Sequence, residues 1–170
     1  MMLAHLGIAA FAFGVSMVNT YGIERDLKMD VGETTDLAGY VFTFRGVQDV
    51  PGPNYVAARG TFEVTRNGKR VETMHPEKRI YRVQQNPMTE AAIDTGFTRD
   101  LYVSLGEATE GTAWIVRVYY KPFVDWIWGG CVVMALGGIL AASDRRYRAR
   151  LSAAAPSETT PATARVPAAS

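Results

Sequence analysis

The 170-residue chain is poor in several of the residues that build common active sites. It has one cysteine, Cys131, which excludes an intramolecular disulfide and a cysteine-rich zinc site. It has two histidines, His5 and His75, too few for a histidine-based metal centre within one chain. The net charge is +1, so a broad basic surface for nucleic acid is absent and no nucleic-acid partner is expected. There is no G-x-S-x-G, no Walker A loop and no G-x-G-x-x-G. Internal repeats at a fixed period are absent too. With 48% hydrophobic and 21% charged residues, the profile is not that of a disordered chain.

The hydrophobic residues are concentrated in two runs. The first, 1–18 (MMLAHLGIAAFAFGVSMV), contains no Asp, Glu, Lys or Arg. As a helix it would rise ~27 Å, close to the ~30 Å hydrocarbon core. No basic residue precedes it and no small-x-small site ends it, so it reads as a transmembrane helix rather than a cleaved signal peptide. The second run, 123–142, has one charge, Asp125, near its start. Trp126 and Trp128 mark the same end as an interfacial belt, and Gly129-Gly130 and Gly137-Gly138 offer surfaces for close helix contact. Cys131 reads as a small packing residue within this span.

Arginines at 145, 146, 148 and 150 follow the second span. The positive-inside rule then predicts a cytoplasmic C-terminus, and two spans predict that the intervening segment lies on the outer, periplasmic face of a bacterial inner membrane. Residues 21–121 carry 13 basic and 14 acidic residues, a net of −1, whereas 143–170 carry five Arg against Asp144 and Glu158, a net of +3. The predicted organisation is a transmembrane helix at 1–20, an all-β domain at 21–121, a second helix at 122–143 and a basic, disordered tail at 144–170. Sixteen of the last 19 residues are Ala, Pro, Ser or Thr, which cannot bury a core.

The middle segment has strand periodicity. Within 35–44, Tyr40, Phe42 and Phe44 alternate with Val41 and Thr43. The run 54–66 is β-rich, with Tyr55, Phe62 and Val64 expected inside. Asn67-Gly68 then suits a type I′ turn into the strand beginning at Val71. Further strands are predicted at 80–83, 100–105 and 112–120. Six or seven short strands imply a small sandwich or partly open barrel between two transmembrane helices.

Few side chains suggest chemistry. The carboxylates Asp94 and Asp100 are near in sequence, but surface solvation is the commoner role of such residues. His75 precedes Pro76 in a turn and reads as a surface-loop residue. His5 is different, because an ionisable side chain in an apolar span is costly and tends to serve a function. From the residue alone it suits an interhelical hydrogen bond, a proton relay, an axial ligand of haem iron, or a position at the membrane surface.

Several stretches are similar to one family. HPEKRIYRVQQNPMTEAAIDTG (75–96), RDLYVSLGE (99–107), WIVRVYYKPFVDWIW (114–128) and SDRRYR (143–148), with LAHLG (3–7) and YGIERD (21–26), resemble the C-terminal part of the CcmF family of bacterial cytochrome c maturation. The resemblance covers residues 1 to about 150 and leaves the tail outside. It implies a haem lyase role: haem from a periplasmic haem chaperone is joined to apocytochrome c, with thioredoxin-like and TPR-containing maturation subunits as partners. It also implies a membrane haem b, with His5 matching one of its two axial histidines. The other histidine, the tryptophan-rich haem-handling motif and many further spans of the family pattern are not in this chain. The expectation is a C-terminal piece, from a truncated sequence or a split gene, that partners the remaining membrane portion and is not catalytic alone. Without that resemblance, the same pattern also fits a two-span structural or sensor module with no haem role.

Overall fold

The computed structural model describes residues 2–83 and 85–143. The chain opens with helix α1 (Met2–Tyr21) and closes, among the described residues, with helix α2 (Val124–Ser143). The predicted basic tail lies outside the described residues. Ten strands fill the interval: β1 (Ile23–Met29), β2 (Thr34–Leu37), β3 (Tyr40–Pro51), β4 (Tyr55–Arg66), β5 (Lys69–Met74), β6 (Glu77–Tyr81), β7 (Pro87–Glu90), β8 (Ala92–Asp94), β9 (Arg99–Ala108) and β10 (Trp114–Pro122).

The strands form two antiparallel sheets. One has the order β1-β10-β9-β8, and the other has β2-β3-β4-β6-β7 with β5 also paired to β4. β4 holds the larger sheet together. Its first half pairs with β6 (Val56 opposite Ile80) and its second half with β5 (Phe62 opposite Met74). The change of partner falls at Gly60, whose N–H donates to the Pro76 carbonyl at 2.8 Å. A Cβ on Gly60 would press to 3.2 Å from the Leu105 side chain of the opposite sheet.

Alternation along the strands builds the core. Tyr40, Phe42 and Phe44 from β3 and Phe62 and Val64 from β4 face Leu101, Val103 and Leu105 from β9 and Val116 and Val118 from β10. Phe44 and Phe62 stack with centroids 4.9 Å apart. Each such buried side chain contributes ~1.5–3 kcal/mol of hydrophobic free energy, so the sandwich carries its own core. The expected buried residues Phe62 and Val64 are fully enclosed, whereas Tyr55 is half-buried and stacks edge-on against Tyr81.

Three local features differ from the sequence reading. The stretch 35–44 is a hairpin, not one strand: Ala38 and Gly39 both have positive φ (52° and 77°) and turn β2 into β3. This matches the geometry at Asn67-Gly68 (51° and 72°), where the turn was expected. The strand expected at 80–83 instead spans Glu77–Tyr81. The sheet edges also gain β1, β7 and β8, which raises the count from six or seven strands to ten.

The helices pack on each other as an antiparallel pair. Ala4 lies against Gly137, Gly7 against Gly130 and Met134, and Gly14 against Ile127. Only Gly7 and Gly14 of α1, and Gly130 and Gly137 of α2, are buried. Leu6, Ile8 and Phe13 point outward on α1, as do Val132, Leu136, Ile139 and Leu140 on α2. Each helix has 20 residues, long and apolar enough to cross a membrane. A helix apolar all round with so little of it buried suits lipid rather than water as its surroundings.

Candidate functional site

His5 lies in the second turn of α1. One residue beyond Ala4 and two before Gly7, it is turned out of the α2 contact by the 3.6-residue helical period. The imidazole is exposed on the outer surface of the helix pair. Beside it is an open apolar hollow of about 690 Å³, lined by Met2, Leu3, His5 and Leu6. The hollow offers one nitrogen ligand in an apolar wall, the chemistry that a porphyrin face and its iron require from one side. No group of three or more His, Cys, Asp or Glu capable of holding a metal occurs among the described residues.

His75 does not join that site. It sits exposed in the link between β5 and β6, with Nδ1 3.3 Å from Thr61 Oγ1. Cys131 is half-buried on α2.

The acidic residues are more tightly held than the sequence suggested. Asp94 Oδ2 lies 2.6 Å from Arg99 Nη1. Asp100, expected on the solvated surface, is almost fully buried at the start of β9 and accepts a hydrogen bond from Gly96 N at 3.1 Å. The 95–98 loop folds over it, which no local pattern announces. Burial pushes the Asp100 carboxyl above its usual range; the Gly96 bond opposes this, and the nearby charge of Asp125 adds to it. Both carboxylates are engaged in holding the loop, and the pair presents no open acid–base site.

Two partly buried polar clusters, centred on the buried Tyr40 and Glu77, escaped the sequence reading. The Tyr40 hydroxyl accepts hydrogen bonds from Arg66 Nη1 (2.9 Å) and Arg99 Nε (3.0 Å), and both guanidinium groups lie over its ring. Arg66 belongs to one sheet and Arg99 to the other, so Tyr40 ties the sandwich together. In the second cluster, Glu77 accepts from Arg59 Nε (2.6 Å) and Arg79 Nε (2.8 Å). Burial alone would raise the Glu77 carboxyl, but the two arginines outweigh it and hold it below its ordinary value. Arg79 also covers the Tyr55 ring. These contacts tie up four of the sandwich's arginines.

The sandwich also carries an open surface beside Trp114. A cleft of about 610 Å³ lies between Val31, the β3 bulge at Arg45-Gly46, Gln48, Thr61 and Trp114. It mixes an indole face with a cation and several hydrogen-bonding groups.

The family model described as the CcmF C-terminal beta-sandwich matches residues 20–122. The chain belongs to the CcmF family. The cytochrome c-type biogenesis protein CcmF of Pseudomonas aeruginosa is 56% identical over 151 residues, covering 89% of this chain and 23% of that protein. CcmF of Escherichia coli is 50% identical over 161 residues, covering 95% of this chain and 24% of that protein. The cytochrome c-type biogenesis protein ccl1 of Rhodobacter capsulatus is 48% identical over 150 residues. Among solved structures, one titled Cytochrome c Heme Lyase CcmF shares the fold with a TM-score of 0.67 at 20% identity, covering 81% of this chain and 23% of that one. The chain thus spans about a quarter of the length of these CcmF relatives. CcmF membership and two apolar helices make this a membrane protein.

Proposed function

We propose that this chain acts in cytochrome c maturation as the C-terminal piece of a haem lyase, in which haem is attached to apocytochrome c. The observation that carries this reading is the identity of 48–56% to cytochrome c-type biogenesis proteins over 88–95% of this chain. The helices hold the sandwich at the outer face of the bacterial inner membrane, with the C-terminus in the cytoplasm. This orientation is supported by the arginines at 145–150.

In this reading His5 is one axial ligand of a membrane haem b, and a histidine of the remaining family membrane portion is the other. The outward position of His5 and its apolar surroundings support the assignment. Held there by His5, a haem b would supply electron transfer. This chain's residues present the imidazole, exclude water with Met2, Leu3 and Leu6, and leave the opposite helix face to α2. The sandwich serves as the docking domain for the thioredoxin-like and TPR-containing subunits, the haem chaperone and apocytochrome c. Its open cleft beside Trp114 is the surface best suited to a peptide.

The test is a maturation assay in cells lacking the family protein. The chain co-expressed with the missing membrane portion should restore covalent haem on c-type cytochromes, visible by haem staining. Restoration by the membrane portion alone, without this chain, would contradict the reading.

A further inference from the structure

We infer that the loop at 95–98 is a third membrane contact, with the Phe97 ring inserted among the headgroups and upper acyl chains beside the first turn of α2. Phe97 is 71% exposed, although the backbone on either side of it is hydrogen-bonded to α2 and β9. Trp126 Nε1 donates to the Phe97 carbonyl at 3.2 Å, and the two rings lie 5.5 Å apart. Phe123 N donates to the Thr98 carbonyl at 3.0 Å. The loop is thus fixed at the level of the α2 N-terminus.

That level has a definite depth. The 20 residues of α2 rise ~30 Å, the thickness of the hydrocarbon core, so its first turn lies at one boundary. Trp126 and Trp128 stand there, where indole rings favour the mixed environment of the headgroups.

The polar groups of the loop are compatible with that place. Backbone that meets lipid must have its hydrogen bonds satisfied within the protein. Gly96 N is taken by Asp100, Gly96 O by Arg99 N, Phe97 O by Trp126 and Thr98 O by Phe123 N. These four backbone groups are paired within the protein, and the Phe97 ring points outward between the exposed Thr95 and Thr98, which suit the headgroup layer. In water that arrangement exposes a phenyl group for no return. At the bilayer boundary it adds an anchor that fixes the sandwich's tilt over the membrane.

Depth-resolved quenching on the full chain tests this. In a Cys131→Ala background, Phe97→Cys is labelled with the nitrobenzoxadiazole fluorophore and reconstituted in phosphatidylcholine–phosphatidylglycerol vesicles. Glu110→Cys, in the turn at the far end of β10, is the control. Doxyl groups on shallow acyl positions should quench the label at 97 at least threefold more than at 110, and aqueous iodide should show the reverse order. Iodide quenching at 97 equal to that at 110 would overturn the inference by placing the loop in water. Shielding at 97 from both quenchers would also overturn it, by placing protein over the ring.

Discussion

Gly7 and Gly130 meet so closely that neither tolerates a side chain. A Cβ on Gly7 would lie 2.8 Å from the Gly130 carbonyl oxygen, and one on Gly130 would lie 2.7 Å from the Gly7 carbonyl oxygen. Gly137 repeats the contact one heptad on, where a Cβ would sit 2.6 Å from Ala4 N. Close backbone approach of this kind is how helices gain packing energy in lipid, where burial of apolar surface offers little. It also leaves the His5 side of α1 open for a different neighbour.

The glycine pairs make a direct comparison available. Of Gly129-Gly130 and Gly137-Gly138, only the second of the first pair and the first of the second pair touch α1; nothing lies within 4 Å of a Cβ on Gly129 or Gly138. Gly130→Ala should destabilise the helix pair by ~1–3 kcal/mol through overpacking. Gly129→Ala should be neutral. Unfolding by sodium dodecyl sulfate in mixed micelles, followed by Trp126 and Trp128 fluorescence, reads both.

A second prediction concerns the β2–β3 turn. Ala38 sits at φ 52°, a left-handed conformation that residues other than glycine and asparagine adopt at a cost. Replacing it with glycine should stabilise the sandwich by about 1 kcal/mol, with the same fold. Chemical denaturation followed by circular dichroism measures the gain.

The two shifted carboxylates predict opposite pH dependences. The folded value of Glu77 is lowered, so its contribution is present above the ordinary glutamate pKa and is lost as pH falls through the lowered value. Glu77→Gln should therefore cost stability at neutral pH, ~1–3 kcal/mol for the loss of two charge-assisted bonds, with the deficit shrinking in acid. The folded value of Asp100 is raised, so the folded state favours the protonated form. Its contribution is present below the ordinary aspartate pKa and is lost as pH rises through the raised value. Asp100→Asn should stabilise the sandwich at neutral pH, and that gain should vanish in acid. Denaturation curves at pH 3, 5 and 7 distinguish the two signs.

The orientation is tested by fusions. A reporter after Leu151 should behave as cytoplasmic, and one inserted at Asn67-Gly68 as periplasmic. The reverse pattern would remove the sandwich from the compartment in which haem attachment is proposed.

What was legible in the sequence followed from strong local signals. Apolar runs of span length gave both helices, and α1 continues three residues past the run through Asn19, Thr20 and Tyr21. Alternation gave β3, β4, β9 and β10, and Asn67-Gly68 gave its turn. β1 was hidden because Glu24, Arg25, Asp26 and Lys28 mask the two core positions Leu27 and Met29. β7 and β8 are edge strands of four and three residues, too short to show a period. Ala38-Gly39 lacks the asparagine that usually marks such a turn. His5 stood out because a polar group in an apolar run is a local anomaly. The burial of Asp100 and the clasp of Tyr40 by Arg66 and Arg99 depend on pairings between distant strands, which local patterns do not encode.

The visible spectrum of the membrane complex, with and without the His5 imidazole, tests the central claim most directly. The complex of this chain with the remaining family membrane portion should carry a low-spin haem b with a sharp reduced spectrum. His5→Ala should lose that haem or convert it to high spin, and His5→Gly with added imidazole should partly restore it. The sandwich should remain folded in both variants, since its core lies apart from α1. Full haem content and an unchanged reduced spectrum in His5→Ala would contradict the account.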